Sequence, residues 1–387
     1  MISDMENDRS RFYHPELDCL RFVAFLSVFF YHGDQAFHTV VKLDSAWEWM
    51  LMCIVKSGVF GVDLFFCLSS FLITILLLRE HDARGGIDVR AFWMRRVLRI
   101  WPLYYLFLLL AATIIPYWLH RQQLCGWQLL NYWFFVGNWD CVFHGFLISP
   151  AGPLWSISIE EQFYLVWPLL LLAVKPKRIL PLAIVALVGA NVFRLLYHPP
   201  SFAQQWPNTL YHIDPIAWGV IGAYFARANR LNLSILIRSA LLLIGVFTVP
   251  VYFFCHGFLT FFDGRDLALY PMSSVCCLLI VVSLYDLKVV PWDSVFMKGW
   301  AYLGRISYGL YVFHMLGLTW AMRQMYDRGF YHGEITAMVS TLKAGMLGSA
   351  FVFTVIAAWA SYTFWEAPFL KLKKKFTYVP SAPQTQA

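Results

Sequence analysis

Apolar residues in this chain come in long blocks, at roughly 17–36, 59–78, 100–119, 157–174, 179–197, 209–226, 233–253, 268–285, 300–322 and 338–364. A helix needs about 20 such residues to cross the hydrocarbon core of a bilayer, so the pattern predicts an all-α, polytopic transmembrane bundle of about ten spans. One further aromatic stretch, 127–139, is too short to cross and carries Asn131 and Asn138. It is expected to be re-entrant or interfacial. Residues 1–16 are polar, and no small-residue cleavage site follows the first apolar run, so the first span is expected to be retained rather than removed as a leader. No internal repeat is visible, and Val379 to Ala387 have the composition of a short disordered tail. The expected organisation is a cytoplasmic segment 1–16, a membrane domain 17–370 and a basic cytoplasmic tail 371–387.

Composition sharpens this picture. At 59% hydrophobic and 14% charged, the 387 residues lie far outside the soluble globular range. The net charge of +7 comes from Lys and Arg scattered between apolar blocks, which argues against a nucleic-acid partner. Their placement instead reports orientation. With ten spans, 22 of the 30 basic residues fall on the side of the termini, among them Arg9, Arg11, Arg21, the arginines from Arg79 to Arg99, Lys288, Arg305 and the lysines from Lys371 to Lys375. Eight fall opposite, including Lys42, Arg121 and Arg194. The positive-inside rule then puts both termini in the cytoplasm. Counting 127–139 as a span would place the Lys371 to Lys375 cluster outside. The eight cysteines show no CxxC spacing and mostly lie within apolar blocks, as small buried hydrophobes do. Cys125 and Cys141, near the presumed outer surface, are the exception, and no metal is called for.

Ionisable groups within apolar blocks cost a few kcal/mol at mid-depth unless paired, so they mark candidate chemistry. Arg21 and His32 lie eleven positions apart, three helical turns plus about 20°, and so share a face about 16 Å apart along the axis. Asp18, three residues before Arg21, is placed to pair with it. Arg21 either does so or snorkels to headgroups, and His32 is either a base for a hydroxyl proton or a structural partner. Arg96 and Arg99 are three apart ahead of Pro102 and share a face if the helix has begun; they form either a forked phosphate grip or an ordinary positive-inside signal. Ser156, Glu160 and Tyr164 form an i, i+4, i+8 stripe, although Ser156 or Ser158 with the glutamates also fits a capping box. Asp63 is a helix cap or a group at the level of His32. Ser307, Tyr311 and His314 share a face, with His314 either packed or part of a site.

Five blocks in order, from Leu17-Asp18-Cys19-Leu20-Arg21 through Tyr31-His32, Gly61-Val62-Asp63-Leu64-Phe65-Phe66 with Ser69 to Thr74, Arg95-Arg96-Val97-Leu98-Arg99 through Pro102, Trp155 to Tyr164 and Leu303 to His314, close with Trp365-Glu366-Ala367-Pro368-Phe369. In these the chain resembles the acyltransferase-3 family of integral membrane O-acyltransferases, from about Leu17 to Lys375. The resemblance implies a ten-span protein of a bacterial inner membrane that moves an acyl group, usually acetyl, from cytoplasmic acyl-CoA (acetyl-CoA) to a hydroxyl, often of a glycan. It maps the family's Arg-X10-His motif onto Arg21 and His32, its Arg-X-X-Arg motif onto Arg96 and Arg99, and its glutamate before Gln-Phe-Tyr onto Glu160. Cys19 and Ser70 stand where glycine is common, which questions close backbone approach there, and Ala367 stands where arginine is frequent. Members with a fused esterase-like domain exist; at this length none is expected.

The expected mechanism has Arg96 and Arg99 holding the donor phosphates, His32 acting as base or transient acyl carrier, and Arg21 orienting or charging the pathway. Glu160 and Asp63 position donor or acceptor, and Ser156, Tyr164 and His314 contact substrate. The rival from another class is a proton-coupled secondary transporter relaying protons through Arg21, His32, Asp63 and Glu160. A third reading is a structural component with snorkelling charges, which predicts that Arg96 and Arg99 tolerate lysine. The presumed outer loops 139–156, 254–267 and 323–337 are aromatic, which suits both sugar stacking and an interfacial belt.

Overall fold

The computed structural model describes residues 13–37, 45–119, 124–287, 290–292, 294–328 and 337–377. Arg9, Arg11, Lys42, Arg121, Lys288, residues 329–336 and residues 378–387 lie outside the described residues. Within them the chain is helical, with no strand.

Each apolar block falls on helix. The first gives α1 (Pro15–Phe37). The second begins earlier than the apolar pattern suggests: α2 (Ala46–Ser57) runs through a 3-10 turn, Gly58–Phe60, into α3 (Gly61–Arg84). The cause is a capping box at its start, in which the Ser45 hydroxyl accepts from the Glu48 N–H at 3.2 Å and the Glu48 carboxylate from the Ser45 N–H at 3.0 Å. Then come α4 (Val89–Ala112), capped by Asp88, and α5 (Ile114–Leu119). The aromatic stretch forms two short helices, α6 (Gly126–Trp133) and α7 (Gly137–His144). Eight residues rise about 12 Å, too little to cross a bilayer. The remainder is α8 (Trp155–Ala173), α9 (Ile179–Leu196), α10 (Ile213–Arg227), α11 (Ile235–His256), α12 (Leu269–Leu284), α13 (Val295–Arg305), α14 (Ser307–Asp327), α15 (Ala337–Ala360) and α16 (Ala367–Lys373). Between α15 and α16 the turn widens into a π-helix, Ser361–Glu366, because Pro368 has no N–H to give the carbonyl four residues back.

Among the described residues, four helices are long and apolar enough to cross a membrane: Ala46–Arg84, Pro176–Leu196, Ile235–His256 and Leu342–Phe376. α9 and α11 turn Val185, Leu195, Leu196, Leu236 and Leu243 outward, apolar surface that only lipid would cover. α1 is different. It packs against α3, α13 and α14, so Glu16, Asp18, Arg21 and His32 sit on a helix largely covered by protein, with Val23 and Phe30 its exposed large apolar side chains, and polar groups there find partners.

α10 lies along α3, and the small side chain at their crossing is Gly219. A Cβ there would stand 2.0 Å from the Ser70 Oγ and 2.3 Å from the Cys67 carbonyl oxygen. The close approach questioned by Ser70 is therefore preserved, with the glycine supplied by the facing helix. Cys125 and Cys255 are exposed, Cys141 is buried, and all eight cysteines are free.

Candidate active site

α1, α3, α4, α8, α14 and α16 surround a cavity of about 510 Å³. It brings together six of the nine residues given a role in the expected mechanism, Arg21, Arg96, Arg99, Ser156, Glu160 and Tyr164, with Asp18, Ser307 and Tyr311 beside them. His32, Asp63 and His314 do not line it.

One end of the cavity is cationic. Arg21 donates to Asp18 at 2.9 Å, the i, i+3 pair that the spacing anticipated. Arg96 lies between the rings of Phe92 and Tyr164, its guanidinium carbon 5.5 and 5.6 Å from their centroids, and its Nε is buried without an acceptor. Arg99 donates to the Arg305 carbonyl at 3.3 Å. Neither pairs with a carboxylate among the described residues, although a buried donor left unmade costs about 1–3 kcal/mol. Glu160 is held by the Ser69 hydroxyl at 2.8 Å, and its neighbour Glu161 by the Trp101 indole N–H at 3.0 Å. Around Pro102, side chains cover the nearby carbonyls: Tyr308 donates to Ile100 O at 2.9 Å and Trp365 to Pro102 O at 2.9 Å. That fixes α14 and the π turn beside the arginines.

At the other end stand Phe65, Ser156 and Tyr311. Ser156 does not cap α8. Its hydroxyl and that of Tyr311 bond each other at 2.7 Å and share the Pro153 carbonyl. Tyr311 also packs at 5.3 Å against His314, whose ring is 5.1 Å from that of His32. A side chain lining the cavity thus packs on His314, which in turn packs on His32. Both rings are fixed in the same way. A carbonyl can only accept, so the bonds from His32 Nδ1 to Val28 O at 3.0 Å and from His314 Nδ1 to Tyr311 O place a proton on each Nδ1. Each Nε2 is left with a lone pair and, among the described residues, no partner; that of His314 is fully buried.

Asp63 is neither a cap nor a cavity residue. Its carboxylate meets His212 Nδ1 at 2.7 Å and accepts from Ser273 at 3.1 Å, while His212 Nε2 donates to Trp206 O. All three side chains are buried. Beside them, a second buried pair joins Arg194 to Asp214. Among the described residues no group of three or more His, Cys, Asp or Glu could hold a metal ion.

Several lining residues carry no assigned role in the sequence. Ser69 lies in a recognised block, and Tyr311 is marked there only as sharing a face with Ser307 and His314. Arg305, Lys373 and Lys374 were read as topology charges, yet they line the cavity. Their signal was the excess of positive charge itself, which reports orientation and anion binding alike.

The family model described as acyltransferase domain matches residues 14–366. The peptidoglycan O-acetyltransferase OatA of Listeria monocytogenes is 29% identical over 329 residues, covering 79% of this chain and 49% of that protein. The O-acetyltransferase OatA of Staphylococcus aureus is 27% identical over 390 residues, covering 95% of this chain and 59% of that one. The chain thus spans about half to three-fifths of the length of these relatives. No solved structure matches it.

Proposed function

The chain belongs to the acyltransferase domain family, an integral membrane branch with O-acetyltransferase relatives, and on that premise we propose that it transfers an acyl group, acetyl in this reading, from cytoplasmic acyl-CoA to a hydroxyl of a peptidoglycan-type glycan. The observation that carries this is the cavity: unpaired guanidiniums at one end, and at the other a tyrosine backed by histidines with a free Nε2. Unpaired guanidiniums in a partly apolar cavity suit phosphates. A donor held there points its thioester along Glu160 and Ser69 toward Tyr311, which must turn aside for the acyl carbon to reach His32.

His32 Nε2 then takes the acceptor hydroxyl proton, the oxygen attacks the thioester carbonyl, the C–S bond breaks, and the imidazolium returns the proton to the leaving thiolate. Transfer through an acyl-imidazole uses the same nitrogen. His314 lies close enough to contact the acceptor or to share the proton. Arg21, tied to Asp18, adds positive charge along the donor's path. Glu160 and Tyr164 orient the donor, and Ser156 holds Tyr311. Asp63 positions indirectly, by fixing His212 between α3 and α10. The transporter reading is set aside, because the family is one of acyltransferases.

The test is release of CoA thiol from acetyl-CoA by the purified protein in detergent, with and without a glycan acceptor. Acceptor-dependent release is expected, and His32→Ala should lower it about 10²–10⁴-fold at unchanged protein yield. Unimpaired turnover in His32→Ala would remove that residue from the chemistry. No release by the parent protein with any glycan would remove the acyltransferase reading.

A further inference from the structure

Six cationic side chains line the cavity against two carboxylates, and one of those, Asp18, is already bonded to Arg21. A single phosphate grip at Arg96 and Arg99 leaves much of that charge unused. Arg305 is the clearest remainder. It ends α13, and the residue before it, Gly304, is pressed so closely to α1 that a Cβ would stand 1.8 Å from the Asp18 carbonyl oxygen. Only glycine permits that contact, and it sets Arg305 close against α1, just before α14 begins. The Arg305 carbonyl holds Arg99, and its guanidinium rests over the Tyr302 ring at 5.5 Å. Its Nε is buried with no acceptor, and it has no carboxylate partner among the described residues. Arg305 is separated from α14, which carries Tyr311, by Ile306 alone. Tyr13, Lys374 and Thr377 line the same cavity.

We infer that Arg305, with Lys374, forms a second phosphate subsite, which takes the phosphomonoester on the donor's ribose while Arg96 and Arg99 hold the diphosphate. The inference rests on the acyl-CoA reading above, and the order of groups along that donor supports it. Thioester, pantetheine, diphosphate and ribose phosphate succeed one another, and Arg305 adjoins the α4 arginines through the bond of Arg99 to its carbonyl. A doubly charged phosphomonoester also matches the charge that the diphosphate leaves uncompensated.

The experiment compares acetyl-CoA with acetyl-3′-dephospho-CoA in turnover, and CoA with 3′-dephospho-CoA in calorimetric binding to the detergent-solubilised protein. In the parent protein, loss of the phosphate should raise KM and Kd roughly 10- to 100-fold with little change in kcat. Arg305→Gln should raise KM for acetyl-CoA by a similar factor and be almost indifferent to the phosphate; Lys374→Gln should do the same more weakly. Arg96→Gln should weaken both donors and keep the discrimination. Equal handling of the two donors by the parent protein, or an equal loss for both in Arg305→Gln, overturns the subsite. Discriminating binding without turnover would leave the subsite standing and sink the acyltransferase reading alone.

Discussion

The chain buries charge in two places and treats it in opposite ways. At the start of α3 and α10, Asp63 is held by His212 and Ser273, and Arg194 is paired with Asp214 while also donating to Tyr211 O at 3.3 Å. In the cavity, Arg96 and Arg305 keep an Nε without acceptor, and Arg99 has only a carbonyl. Both regions carry charge that an apolar surrounding penalises, but only the first sets opposite charges against each other within the fold, although the Asp214 Oδ1 keeps no partner of its own among the described residues. Charge satisfied internally cements helices; charge left unsatisfied beside a cavity is a place for a ligand. Residue type does not separate the two cases, since both use arginines and carboxylates on apolar helices.

The sharpest way to break this contrast is to remove one partner from the satisfied region. Arg194→Met leaves Asp214 buried and unpaired, and should cost about 3–5 kcal/mol, read as a large drop in the unfolding midpoint in detergent. A midpoint near that of the parent would mean the pair is not structural. Next in size is Gly219→Ala, which forces a methyl against Ser70 and the Cys67 carbonyl, and should cost about 1–3 kcal/mol by the same measurement. Unchanged stability would show that α3 and α10 can separate freely. The smallest effect on the fold is expected in the cavity. Arg96→Lys should leave the midpoint within about 0.5 kcal/mol of the parent while raising KM for acetyl-CoA roughly tenfold, because an ammonium cannot offer the forked geometry. If Arg96→Lys unfolds as readily as Arg194→Met, the distinction between the two regions fails.

Much of this was legible in the chain. The Asp18–Arg21 pair follows from i, i+3 spacing, and the short aromatic helices α6 and α7 follow from length. Arg96 and Arg99 on α4 share one face, and Ser156, Glu160 and Tyr164 on α8 another, as their spacing required, because neighbours three or four apart share a side of the helix whatever surrounds them. Other assignments needed the packing. Capping by Asp63 or by Ser156 was compatible with their positions, but their partners, His212 and Tyr311, stand 149 and 155 residues away. No local periodicity encodes a contact at that separation. Arg305 and Lys373 carried a charge signal that orientation explained equally well.

The sequence by itself determined that this is a helical membrane protein, which helices carry polar groups, and which of those groups share a face, because hydrophobic length and the 3.6-residue period are local properties. Only the tertiary structure decided which buried charges are answered and which stand open, and that the histidine pair lies behind Tyr311 rather than on the cavity wall. Partners drawn from distant helices meet through close packing at positions such as Gly219 and Gly304, and that meeting is a property of the assembled bundle.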